Sequence, residues 1–90
     1  MKILTSKLYE TQLKKILEPL CKQDFQQTKN FKMYLDTIIL NMPSKIKKYK
    51  KSIYFDDDNI KDIQYKGCTI IFFFDQQNNA CIVLGITKKD

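Results

Sequence analysis

Lys45, Lys47, Lys48, Lys50 and Lys51, with Tyr49 among them, form the densest run of chemically useful side chains in the chain. Ammonium groups at that density attract phosphate, and a neighbouring ring can stack on a base, so the run is a candidate nucleic-acid contact. The competing explanation is a solvated connector. All 16 basic residues among the 90 are lysines and the formal net charge is +6, so lysines are to be expected everywhere on the surface. A balance of that sign favours nucleic acid, an acidic protein or an anionic membrane surface as partner.

Other chemistry is excluded by residue type. The chain has no histidine, which removes Ser-His-Asp and Cys-His arrangements and any zinc site built on imidazole. Gly67 and Gly85 are its only glycines, too few for a phosphate-cradling loop. Without arginine there is no planar fork to fix a phosphate, so a metal-free nuclease is disfavoured. Asp56, Asp57 and Asp58 are consecutive, and such carboxylates converge on a cation only in a loop shaped for it; a solvated turn is expected and no metal or cofactor. Cys21, Cys68 and Cys81 lack CxxC spacing and stand in apolar contexts, as reduced core residues of a cytosolic protein do. No stretch approaches the roughly 18 apolar residues of a membrane span, and MKILTSKLYE is too short in apolar character for a signal peptide. A cytoplasmic protein without a membrane partner is expected, with residues 1–90 as one domain.

The elements that must position these groups follow from periodicity. Lys2 to Thr5 could be an edge strand, with Ser6 as N-cap of a helix whose Tyr9, Leu13, Ile16, Leu17 and Leu20 recur at helical spacing. Pro19 should end or kink it. Asp24 opens a second helix, with Gln27 in a capping-box relation, and Thr28, Phe31, Leu35, Ile38 and Met42 form its stripe. Ile39 and Leu40 widen that stripe and Pro43 stops the helix. Ile53 to Phe55 could be a short strand or bulge. Ile60 to Tyr65 is a strand, Lys66-Gly67 a turn, and Cys68 to Phe74 and Ala80 to Ile86 form a closing hairpin across DQQNN. The predicted class is α+β, an N-terminal helical hairpin on one face of a small antiparallel sheet. A strand such as Ile70-Ile71-Phe72-Phe73-Phe74 is apolar on both sides and needs cover on both, yet the helices supply stripes for one.

The order and content of these segments resemble the RelE/ParE superfamily of toxins from bacterial type II toxin-antitoxin systems. The likeness runs through Ile3 and Ser6, Leu13 and Ile16, and Phe31, Leu35, Ile38 and Pro43. It continues past the lysine-rich connector to IQYKGCTIIFFFD and CIVLGITKK. The resemblance implies a growth-inhibiting toxin neutralised by a cognate antitoxin protein, as a heterotetramer with it or as a homodimer through the apolar face. It also implies that Ile70, Phe72 and Phe74, with Ile82, Leu84 and Ile86, face the helices. Thr69, Ile71, Phe73 and Val83 would then seat the antitoxin beside Cys81 and Gly85.

Two targets divide the superfamily. The mRNA interferase branch, acting on ribosome-bound mRNA, carries basic residues where this chain has Ile60, Asp62, Gln64 and Thr69. An endoribonuclease here would have to use Lys88, Lys89 and Tyr65. The branch that acts as a DNA gyrase inhibitor needs a binding surface only and fits better, with Lys47, Lys48, Lys88 and Lys89 contacting target or phosphate. A basic binding module of the same fold without toxicity is the third expectation.

Overall fold

The computed structural model describes residues 1–88. In order come β1 (Lys2–Thr5), α1 (Lys7–Gln23), α2 (Phe25–Asn41), a 3-10 segment (Met42–Lys48), β2 (Lys50–Lys51), β3 (Ile60–Tyr65), β4 (Cys68–Asp75) and β5 (Ala80–Lys88). The class is α+β, with two helices and a five-stranded sheet in the order β1-β5-β4-β3-β2. The sheet is mixed and not purely antiparallel, because β1 lies parallel to β5. Parallel neighbours need a long connection, and here the intervening helices and strands supply it. Ile53 to Phe55 forms no strand. The segment bends between β2 and β3, held by Ser52 N–H donating to the Ile60 carbonyl at 2.7 Å and Ile60 N–H to the Asp57 carbonyl at 3.0 Å.

The helix ends follow side-chain chemistry. Ser6 Oγ accepts from Tyr9 N–H at 3.0 Å and caps α1. The helix then runs on through Pro19 to Gln23 instead of stopping. Pro19 is exposed, so the carbonyl it leaves unpaired one turn back can be hydrated. This unbroken period carries Cys21 round to solvent, against the expectation of a core cysteine; Cys68 and Cys81 are buried. Asp24 serves both helices. Its N–H donates to the Leu20 carbonyl at 2.9 Å, closing α1, while its carboxylate accepts Gln27 N–H at 3.1 Å, opening α2. The Gln27 half of a capping box is therefore unused, since the amide it would bind is already taken. Leu40 does not join the stripe and is 70 % exposed, whereas Ile39 is buried.

Side chains of both helices and of one sheet face share a single core. Tyr9, Leu13, Ile16, Phe31, Leu35 and Ile39 meet Ile63, Ile70, Phe72 and Val83, with Phe74 packed against the group. The sheet's own alternation accounts for β4, where Ile70 and Phe72 point inward. On β5 the alternation breaks. Ile71 pairs with Gly85 but Phe72 pairs with Val83, so Leu84 is an extra residue on the β5 side, a β-bulge. Upstream of it the inward set is Cys81 and Val83, and downstream Ile86. The expected inward positions of Ile82 and Leu84 and the outward ones of Cys81 and Val83 are thus reversed by one inserted residue.

The start of α1 stabilises the bulge. Ser6 N–H donates to the Val83 carbonyl at 2.9 Å, Ser6 Oγ–H to the Leu84 carbonyl at 2.7 Å, and Ile86 N–H to Gln12 Oε1 at 3.0 Å. Backbone groups that the irregular ladder would leave orphaned are satisfied by two polar side chains and one amide of the incoming helix. Gly85 allows the approach: a Cβ there would come within 2.7 Å of Gln12 Oε1.

Candidate functional site

On the outer sheet face the registers align one apolar row across four strands. Leu4 of β1 pairs with Ile82 of β5, Ile82 with Phe73 of β4, and Phe73 with Ile60 of β3. Leu4 is 49 % exposed, and the other three are partly buried. A second row follows, of Lys50, Asp62, Ile71 and Gly85, and a third of Gln64, Thr69 and Thr87. Of the residues predicted to seat an antitoxin, Thr69, Ile71 and Phe73 lie on this face. Val83 does not; it is 0 % exposed and belongs to the core under the helices, because the bulge turns it inward. Ile82 takes its place beside Phe73. Ile71 is only 9 % exposed, so Phe73, Ile82, Ile60 and Leu4 present the accessible apolar area.

The polar groups of this face are partly spoken for. Asp62 Oδ2 accepts Ile53 N–H at 3.1 Å, which brings the β2–β3 connector to the edge of the face. Asp62 Oδ1 is buried without a hydrogen-bond partner among the described residues. Thr69 Oγ1–H donates to Gln64 Oε1 at 3.0 Å. Asp62, Gln64 and Thr69 bring no cation to this face themselves; the cation beside them is Lys50, paired with Asp62 from β2.

The basic residues separate into two groups. Lys47 and Lys48 are exposed on the 3-10 segment, but Tyr49 is not available for stacking on a base. Its ring packs edge-on to Phe72 at 5.6 Å between centroids, and burial pushes its hydroxyl pKa up. Lys51 is drawn to the acidic turn, at 2.6 Å from Asp56 and 3.7 Å from Asp58. That hydrogen bond raises the Lys51 pKa and lowers that of Asp56, and Asp57 Oδ1 accepts Asn59 N–H at 2.8 Å, so the three carboxylates serve the turn itself.

Lys88 stands apart from the run. It pairs with Cys68 across β4 and β5 and lines a cleft of about 390 Å³ with Lys66, Tyr34, Gln27 and Asn30. Tyr65 sits beside this cleft but is committed to the fold. Its ring lies 5.2 Å from that of Phe31, its hydroxyl donates to the Phe31 carbonyl at 3.3 Å, and burial raises its pKa. Burial likewise pushes the Cys68 thiol up, with Lys88 opposing. Lys89 lies outside the described residues. Tyr34 and Lys66 were not legible as site residues, since they stand far apart in the chain and only the fold brings them to Lys88.

A second apolar surface runs along the flanks of α1 and α2, a cleft of about 970 Å³ lined by Leu13, Leu17, Phe25, Met33 and Leu40. At its floor Tyr9 is buried, its hydroxyl without a partner among the described residues and its pKa pushed up to about 12 by burial, then by Asp36 and Glu10. Among the described residues no helix is long and apolar enough to cross a membrane. No family model matches the chain, and no curated protein matches it.

Proposed function

We propose that this chain is the toxin of a bacterial type II toxin-antitoxin pair, of the ParE-like kind, acting in the cytoplasm by binding DNA gyrase and held inactive by a cognate antitoxin. The observation that carries this proposal is the row Leu4, Ile82, Phe73 and Ile60, an apolar strip on the sheet face opposite the core. A partner segment laid along it would remove that area from water, with the row supplying alternate pockets for its side chains. The order of one strand, two helices and a closing antiparallel hairpin, with side chains of both helices meeting one sheet face, supports a RelE/ParE-like arrangement. A binder is favoured over the mRNA interferase alternative by the same face, where Asp62, Gln64 and Thr69 take positions the nuclease needs basic, and by the engagement of Tyr65 with Phe31.

The test is induced expression in a bacterial host. The proposal expects growth arrest, trapped gyrase-DNA complexes, and relief when a short acidic reading frame neighbouring the gene is expressed with it. Ribosome-associated transcript cleavage would instead select the nuclease. Unimpaired growth would leave a basic binding module of this fold.

A further inference from the structure

We infer that the cleft where the α1–α2 junction meets the β3–β4 turn binds a nucleotide phosphate, with Lys66 and Lys88 as its cations and Tyr34 as its stacking surface. This goes beyond the toxin proposal and does not depend on it, because it concerns binding by the purified chain alone. Three separated segments build the site. Lys88 ends β5 opposite Cys68, on the inward side of the sheet. Lys66 occupies a turn whose φ values, 46° at Lys66 and 78° at Gly67, fix a tight reversal and aim its side chain back over the helices. Its Nζ stands 5.7 Å from the centre of the Tyr34 ring and 5.8 Å from that of Tyr65, over aromatic faces and, among the described residues, not against a carboxylate.

The cleft's shape and chemistry agree with one class of ligand. Its volume of about 390 Å³ is that of a small-molecule site, and its floor is apolar, with Leu20 and Phe31 beneath the polar rim. Two ammonium groups would bind phosphate oxygens as point charges. Tyr34 is about half exposed, with Lys66 over one face of its ring, so a base would stack on the other; the Gln27 side-chain amide and the Asn30 Nδ2 offer hydrogen bonds to a base edge, Asn30 Oδ1 already accepting Gln26 Nε2 at 3.3 Å. Among the described residues Asp24 is the one acidic residue in the lining, and its carboxylate already accepts the Gln27 backbone N–H at the start of α2. The lysine-rich segment at 45–51 lacks these features, since its one ring is packed into the core.

The phosphate could belong to a free mononucleotide or to a unit of a single strand, and two probes separate these. Fluorescence anisotropy of labelled oligoadenylate and oligouridylate RNA would be measured with the purified chain, with AMP as competitor. Saturable binding of an oligonucleotide that AMP displaces indicates a mononucleotide site; binding that AMP leaves intact indicates a strand. Lys66→Gln and Lys88→Gln should each weaken binding about fivefold and Tyr34→Ala about tenfold. Lys47→Gln and Lys48→Gln, which remove the same charge elsewhere, should change it less than about twofold. All five positions are exposed, and circular dichroism would verify that each variant is folded. Equal losses for all four lysine variants would show general electrostatic attraction and overturn the inference, as would no saturable binding of either RNA or of AMP up to about 1 mM.

Discussion

The two faces of β4 carry side chains of similar character and meet different surroundings. Ile70 and Phe72 point to the helices and are fully buried, whereas Phe73 pairs with Ile82 and Ile60 in a strip that stays partly open. Residue type does not distinguish them, since Phe72 and Phe73 are adjacent phenylalanines. Their fates differ because α1, α2 and Tyr49 cover one side, and on the other the connector arrives only at Asp62. An apolar side chain stabilises the fold where another element covers it; where none does, its area stays in contact with water and open to a partner.

Charge insertion is the sharpest way to break this contrast. Val83→Asp places an unpaired carboxylate in the core and should cost about 5 kcal/mol, enough to abolish cooperative unfolding in a thermal melt. A folded Val83→Asp chain would mean the bulge does not turn that residue inward. Phe72→Ala should cost about 4 kcal/mol by urea titration, because both the buried area and the Tyr49 edge contact are lost. Phe73→Asp should leave the chain folded, at a cost of about 1 kcal/mol, and weaken binding of the proposed antitoxin by about 3 kcal/mol in calorimetry. If it unfolds the chain as Val83→Asp does, the outer strip is core and the contrast between the faces fails.

The smallest effect concerns the helical side. Tyr9→Phe removes a buried hydroxyl that has no partner among the described residues and should stabilise the chain by about 1 kcal/mol at neutral pH. The sign of its alkaline effect follows from the raised pKa of about 12 against an ordinary value of 10.0. Native Tyr9 keeps its proton where the unfolded chain loses it, so its contribution is complete below pH 10 and is lost as pH rises towards 12. The parent should therefore lose about 3 kcal/mol more than Tyr9→Phe across that window, in denaturant titrations at successive pH values. Parallel pH profiles would place the Tyr9 hydroxyl in water.

Much of the fold was legible because local chemistry wrote it. Ser6 and Asp24 cap helices wherever such residues precede a periodic apolar run, the Lys66-Gly67 pair takes the left-handed conformations of a tight turn, and the β4 alternation reads off directly. The candidate site was legible only in part. Thr69, Ile71 and Phe73 share the outer face, but the exchange of Val83 for Ile82 hangs on one bulge, whose single local sign is the glycine Gly85 inside the strand. The groups that hold the bulge lie 74 to 78 residues away, where Ser6 and Gln12 satisfy the backbone of residues 83–86. Nor did the density of lysines locate the better phosphate site. The crowded run at 45–51 spends Tyr49 on the core and Lys51 on the acidic turn, while Lys66 and Lys88 line one cleft with Tyr34.

The amino-acid order alone determined the class, the helix starts, the turns and the surplus of apolar surface on the closing hairpin, because each depends on neighbours within a few residues. Tertiary structure decided which members of that surplus face outward and which cations stand together. Both depend on backbone registry between segments distant in the chain, where a single extra residue in one strand reverses the side on which every side chain beyond it emerges.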